Sequence, residues 1–415
     1  MTPNEDGIQA SDVGLNEERL NRIPEFFADN YLDTGKLPCM ATLVSRNGQI
    51  VHEAYRGRDE LGGGDPIGPD TIFRIYSMTK PITSVAAMML FEESKLRLDH
   101  PVHHYIPEFA DTEMWVKGTL DNYETRKPLR PMEVRDLFTH TSGLTYGFLM
   151  QHEVDALYRR EKIGRPDETL EEMCKRLAKL PLLFSPGTRW NYSHSTDVLG
   201  RIVEVASGQS LDQFFRERIF GPLNMVDTDF FVPEEKLPRL MACYSRDPET
   251  GKVSQSDGKG AESKAYRAQP PLLNAGGGLV STLRDYHNFC LMLLHGGALV
   301  GQRGEVVLDQ HLQHRAGRLL PRGTGRNAGG GHVGYDLVAE EIEIHPVLVR
   351  SPLRAAQQRA VEIAGGVQIV NGKGEMKWWQ CHGGDCVPAG RAKARVWANA
   401  KPIIAAAPYP ASGVG

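Results

Sequence analysis

Ser77 and Lys80 stand three residues apart in Phe73-Arg74-Ile75-Tyr76-Ser77-Met78-Thr79-Lys80-Pro81. A serine hydroxyl is a weak nucleophile until a neighbouring base takes its proton, and a buried lysine with a lowered pKa can be that base. One helical turn of spacing puts the two side chains on the same face. The plainer account makes Ser77 a helix N-cap and Lys80 a solvated helix residue, and the S-x-x-K pair alone leaves that account open. Tyr192, in Trp190-Asn191-Tyr192-Ser193-His194-Ser195, is a second candidate. A phenol held beside an ammonium ionises more readily, so a tyrosine there can take the serine proton and return it to a leaving group. Its plain reading is a buried tyrosine with a satisfied hydroxyl.

These residues need elements to hold them. An apolar run over 71–75 gives way to a helical pattern at Val85, Met88, Met89, Leu90 and Phe91. Ser77 therefore falls at the start of a helix, where first-turn N–H groups favour a developing negative charge. Tyr192 leaves a loop over 181–189 containing Pro186-Gly187 and precedes a helix marked by Val198, Leu199, Ile202 and Val203, with Gly208 as its stop. Upstream, helical spacing over 15–31 predicts an amphipathic helix, and 39–44 and 49–55 read as strands joined at Asn47-Gly48, a type I′ hairpin signal. A turn with a short extended piece is expected over 98–107, and helices over 132–137, 170–180, 211–219 and 283–295. The glycine-rich run 275–278 precedes the last of these; no Gly-Lys-Ser/Thr follows it, so it is not a P-loop. His140 and Ser142 lie close in sequence, but Gly143 beside them fits a structural turn better than a catalytic pair. Helix, hairpin, loop and serine-led helix make an α+β pattern, not alternating βαβ. No G-x-S-x-G occurs, so the nucleophile elbow of α/β-hydrolases is not present.

Composition narrows the class. The chain has 415 residues, 40% hydrophobic and 24% charged, with a net charge of -4, as in an ordinary globular protein. That balance gives no reason to expect nucleic acid or an anionic membrane as partner. No apolar run approaches the roughly 18 residues of a membrane helix, and residues 1–16 show no signal-peptide pattern, so a cytoplasmic location is expected. The six cysteines, Cys39, Cys174, Cys243, Cys290, Cys381 and Cys386, follow no framework and read as reduced core thiols. Cys381-His382 with Cys386 is half a metal site without a second half, so no metal is expected, and no organic cofactor is implied.

Taken together, the words Phe73 to Lys80, Leu137-Phe138-Thr139-His140-Thr141-Ser142-Gly143-Leu144, Pro186-Gly187-Thr188-Arg189-Trp190-Asn191-Tyr192-Ser193, Asp197-Val198-Leu199-Gly200 and Gly276-Gly277-Gly278-Leu279-Val280-Ser281-Thr282 resemble the class C β-lactamase-like serine hydrolases. Within that group the resemblance is closest to the family VIII carboxylesterases, in family order over about 15–300. It implies an α/β (α+β) fold of the β-lactamase/DD-peptidase type: an antiparallel sheet flanked by helices beside a mostly helical lobe. The implied layout is a hydrolase domain over 15–302, with a sheet lobe at 15–110 and a helical lobe at 111–302. It implies Ser77 as the acylated nucleophile, with Lys80 and Tyr192 sharing the proton traffic; which of them is the acylation base is disputed in related enzymes. The expected activity is hydrolysis of small carboxylic esters through an acyl-enzyme. β-Lactam hydrolysis, D-amino-acid peptide hydrolysis and acyl transfer share the same nucleophile. The oligomeric state is not set by the sequence.

Two departures follow. Lactamases of this class carry Asn two places after the tyrosine; here His194 stands there, which favours an esterase. The family's last motif, Lys-Thr-Gly, His-x-Gly or Trp-Gly-Gly on a strand that lines the acyl pocket and gives an oxyanion-hole N–H, is not found after residue 303. Residues 303–415 carry 14 Lys and Arg against 9 Asp and Glu, whereas the chain before them carries 34 against 43. A basic tail for a partner is one account of that shift, a displaced reading frame another. Tryptophan has a single codon, so Trp378-Trp379-Gln380 read one nucleotide later encodes Gly-Gly. Residues 303–364 read as atypical, 365–390 as C-terminal strands and 391–415 as a disordered tail. Candidate substrate-binding residues are His194, Trp378 as a pocket wall, and His382, Gly383 and Gly384 as a stand-in for the missing motif. With that motif lost, the competing reading is a non-catalytic binding protein.

Overall fold

The computed structural model describes residues 8–247, 249–297, 299–300, 305–306, 367–370, 376–382 and 385–388, with side chains described only up to residue 297. The chain divides into two units, 1–324 and 325–415.

The first unit opens with helix α1 (Glu17–Phe27), capped by Asn16, whose side chain accepts from the Arg19 N–H, and continued by a wider turn over Ala28–Leu32. Strands β1 (Cys39–Arg46) and β2 (Gln49–Glu60) form the expected hairpin. Asn47 and Gly48 have φ of 55° and 81°, the two positive values a type I′ turn needs. Strand β3 (Gly63–Pro66) pairs with β2, so the sheet runs β1-β2-β3. The short strand β4 (Phe73–Arg74) leads into helix α2 (Thr79–Glu92).

A hairpin of β5 (Met114–Thr119) and β6 (Asn122–Arg126) follows. Then come helices α3 (Val134–Phe138), α4 (Glu153–Arg160), α5 (Leu170–Leu177), α6 (Ser195–Ser207) and α7 (Leu211–Phe215). Strands β7 (Cys243–Arg246) and β8 (Val253–Asp257) pair with each other. Strand β9 (Val280–Ser281) pairs with β4 and is followed by helix α8 (Leu283–Leu294) and the short pair β10 (Leu299–Val300) and β11 (Glu305–Val306). In the second unit β12 (Val367–Val370), β13 (Met376–His382) and β14 (Asp385–Pro388) form an antiparallel sheet in that order.

Several expectations shift. Residues 98–107 hold a turn and an extended bridge at Pro101 to Glu133, followed by the 3-10 turn Val102–His104 that the sequence did not suggest. The β5–β6 hairpin and α4 carry no sequence expectation. The helix expected over 170–180 stops at Leu177, and the one over 211–219 becomes a wider turn after Phe215. Cys39 and Cys174 are buried free thiols, but Cys290 is exposed, so not every cysteine belongs to the core. Among the described residues no helix is long and apolar enough to cross a membrane.

A single apolar cluster runs from Ile75 on the approach to α2 through Val198, Leu199, Ile202 and Val203 of α6 to Phe289 and Met292 of α8. Helix α2 packs directly on α6. Gly200 permits this packing, because a Cβ there would overlap Ala275 and press on Leu211. The rigid contact between α2, α6 and the 275–279 loop is what brings distant parts of the sequence to one point.

Candidate active site

Ser77 lies in a short 3-10 turn, Tyr76–Met78, between β4 and α2. Tyr76 before it has φ of 41°, a strained value for a residue with a side chain. Helix α2 begins at Thr79 with no side-chain cap. The Ser77 hydroxyl is therefore not an N-cap, and it is bonded elsewhere. Its Oγ is 2.6 Å from Tyr192 Oη and 3.0 Å from Lys80 Nζ. Lys80 Nζ also lies 2.5 Å from Tyr192 Oη and donates to the Gly276 carbonyl at 2.7 Å. Lys80 is only 2% exposed. The plain account of a solvated helix lysine does not describe it.

The surroundings hold these atoms in place. Thr83, one turn beyond Lys80 on α2, donates its hydroxyl to the Ala275 carbonyl at 2.8 Å. Asp197, on the first turn of α6, accepts from the Gly276 N–H at 2.9 Å through Oδ1 and contacts His194 Nδ1 at 2.8 Å through Oδ2. The Leu279 N–H donates to Thr79 Oγ1 at 3.2 Å. Tyr146 packs its ring 5.1 Å from that of Tyr192 and 4.3 Å from that of His194. Space at Gly276 is tight, since a Cβ would lie 3.0 Å from Tyr146 Oη and 3.2 Å from the Asp197 carboxylate.

His140 and Ser142 do not pair with each other. His140 Nδ1 meets Ser193 Oγ at 3.3 Å, and Ser142 Oγ meets Ser195 Oγ at 2.7 Å. His140 adopts φ of 53° and Gly143 φ of 86°, as a tight turn requires. Burial, and after it the Lys80 charge, lower the His140 pKa to about 4, so its ring is neutral at pH 7.

Ser77, Lys80 and Tyr192 thus come together, Lys80 is bound to the Gly276 carbonyl, and His194 is linked to Gly276 through Asp197. His194 is buried, and its Nδ1 is turned to Asp197. Trp378 and His382 fall on β13, whose side chains lie outside the described residues, as do Gly383 and Gly384 altogether. Sequence reasoning did not single out Gly276, Asp197, Thr83 or Tyr146. The glycine run and the Asp197-Val198-Leu199-Gly200 word were visible, but a backbone acceptor leaves no side-chain signature.

A family model described as Beta-lactamase matches residues 27–406. The chain belongs to the β-lactamase family. This family match spans the tract beyond residue 303, where the sequence words stop. Among curated proteins, an uncharacterized protein of Mycobacterium tuberculosis is 38% identical over 274 residues, 65% of this chain and 66% of that protein. Esterase EstB of Burkholderia gladioli is 35% identical over 232 residues, 55% of this chain and 56% of EstB. The chain thus spans a little under two thirds of one relative's length and over half of the other's. Among solved structures, EstCE1, titled a hydrolase with promiscuous acyltransferase activity, superposes with a TM-score of 0.56 at 26% identity, covering 67% of this chain and 73% of its own. The fold of this β-lactamase-family chain is accordingly of the β-lactamase and penicillin-binding-protein type, with antiparallel strands and a helical body.

Proposed function

We propose that this protein is a serine hydrolase of the family VIII carboxylesterase type, cleaving small carboxylic esters through an acyl-enzyme on Ser77. The observation that carries the reading is the closed triangle of Ser77 Oγ, Lys80 Nζ and Tyr192 Oη, with edges of 2.6, 3.0 and 2.5 Å. Similarity to an esterase of 35% identity supports the substrate class.

The chemistry follows from donor and acceptor capacity. A carbonyl oxygen only accepts, so Gly276 always holds one Lys80 N–H. When the amine is neutral, its second N–H goes to one of the hydroxyls of Ser77 and Tyr192 and its lone pair accepts from the other. Ser77 Oγ then attacks the ester carbonyl while its proton passes to the Lys80–Tyr192 pair. The same proton goes to the departing alkoxide as the tetrahedral intermediate collapses to the acyl-enzyme. Water repeats the sequence, releasing the acid and restoring the serine. The Ser77 N–H has no acceptor among the described residues, which suits it to receive the oxyanion.

Acyl transfer to an alcohol is the second reading, favoured by the promiscuous acyltransferase activity of the structurally similar EstCE1; it replaces water by an alcohol in the second half. Fluorophosphonate labelling and a p-nitrophenyl butyrate assay test the proposal. The wild type is expected to label at Ser77 and to turn over the ester, and Ser77→Ala to do neither. Absence of labelling in the wild type sinks the enzyme reading in favour of a binding protein. Faster turnover of nitrocefin than of the butyrate points to a lactamase, and a butyl ester formed in added butanol points to acyl transfer.

A further inference from the structure

We propose that Asp197 is a positioning residue for Lys80, acting through the Gly276 backbone and held in turn by His194. The inference rests on the reading of Lys80 as part of the acid–base pair. The Lys80 amine is aimed by the Gly276 carbonyl at 2.7 Å, and that carbonyl sits in a run of three glycines, Gly276 to Gly278. Glycine samples more backbone conformations than any other residue, and within the loop only turn bonds hold the run, from the Gly277 and Gly278 N–H groups to the Asn274 carbonyl at 3.3 and 2.8 Å.

Further fixing comes from α2, which carries Lys80, and α6, which follows Tyr192. The peptide joining Ala275 to Gly276 is pinned at both ends: its C=O accepts from Thr83 Oγ1 of α2 at 2.8 Å, and its N–H donates to Asp197 Oδ1 of α6 at 2.9 Å. Asp197 is 1% exposed and Thr83 is fully buried, so neither bond competes with water. The second carboxylate oxygen of Asp197 is held by His194 Nδ1 at 2.8 Å, and the imidazole is wedged against Tyr146 at 4.3 Å. Imidazole, carboxylate and peptide form a strut running from the Tyr192 loop to the peptide that precedes the acceptor of the Lys80 amine. This gives His194 a role inside the protein and explains why a ring nitrogen at that place serves the site.

A slack strut lets the amine rotate, and a displacement of about 1 Å at a reacting group can lower a rate by about 100-fold. The test measures, on the full chain, the acylation rate of Ser77 by fluorophosphonate and the kcat and KM for p-nitrophenyl butyrate, with thermal unfolding alongside. Asp197→Ala is expected to lower kcat by about 10- to 100-fold with KM nearly unchanged. Asp197→Asn keeps an oxygen that can accept from the Gly276 N–H, so it is expected to recover most of the loss. Thr83→Val, close to isosteric, releases the other end of the same peptide and is expected to lower kcat in the same way. A wild type that does not label sinks the parent reading of the enzyme. A labelled wild type with folded Asp197→Ala and Thr83→Val acylating at its rate overturns the strut alone, as does an effect of both variants confined to KM.

Discussion

The Lys80 amine has almost no contact with water, and a charge in that position persists only where hydrogen bonds replace hydration. Its oxygen neighbours include one pure acceptor, Gly276, and two hydroxyls that can either accept or donate. That asymmetry lets the amine hold either protonation state without leaving an orphaned polar atom. His140 shows the opposite solution. It packs 5.0 Å from the Tyr192 ring, and burial, more than the nearby Lys80 charge, lowers its pKa to about 4 from an ordinary 6.5. A histidine whose folded pKa is depressed binds fewer protons folded than unfolded between those values. Its stability contribution is complete above pH 6.5 and is lost as pH falls towards 4, by up to about 3 kcal/mol. Urea unfolding of the wild type at pH 7 and pH 4.5 is expected to show a larger loss than the same pair of measurements on His140→Gln. His52 and His287, whose pKa values burial also lowers, are present in both proteins and drop out of the difference. Equal losses in the two proteins would refute the assignment.

At the scale of elements, the site exists because α2, α6 and the 275–279 loop approach one another closely. Gly200 is where that closeness is decided. Alanine is the better helix former by about 0.5–1 kcal/mol, so a substitution in an exposed helix would stabilise. Here the added methyl overlaps Ala275 and lies 3.2 Å from Leu211. Gly200→Ala is therefore expected to destabilise by about 1–3 kcal/mol and to slow Ser77 acylation, since Ala275 adjoins the acceptor of Lys80. Denaturant unfolding with a labelling time course checks both parts, and a more stable variant of unchanged reactivity contradicts the packing argument. The elements themselves were legible where their signals are local. Asn47-Gly48 gave the hairpin, and the apolar spacing at Val198, Leu199, Ile202 and Val203 gave α6. The two-residue pairing of β4 with β9 was not legible, because Phe73↔Ser281 joins positions about 200 residues apart and two residues show no period. The Ser77–Lys80–Tyr192 triangle was anticipated because its members are side chains with chemistry. Its acceptor at Gly276 and the Asp197 strut were not, because they depend on where α6 meets a glycine loop.

Over the whole molecule, one apolar cluster from Ile75 to Met292 unites the segment that leads to the serine with helix α6, which follows the tyrosine. The charge balance changes beyond residue 302, from 34 basic against 43 acidic residues to 14 against 9. An appended basic segment and a displaced reading frame make different demands on length. An appended segment adds residues after the family's span ends, whereas a displaced frame occupies the family's own span with foreign residues. The family match runs to residue 406, so the tract lies within family length while lacking the family's last motif. Trp378-Trp379-Gln380 fits the second case, because its codons read one nucleotide later give the Gly-Gly that the motif requires. Resequencing the gene across codons 303–415 is expected to find one nucleotide gained, or two lost, upstream of codon 378. The corrected protein is then expected to show a higher kcat for p-nitrophenyl butyrate than the present chain, since the restored strand brings a second oxyanion donor, a contribution of about 10²–10³ in related chemistry. An unbroken frame through codon 415 removes this account and leaves the basic segment as a feature of the protein itself.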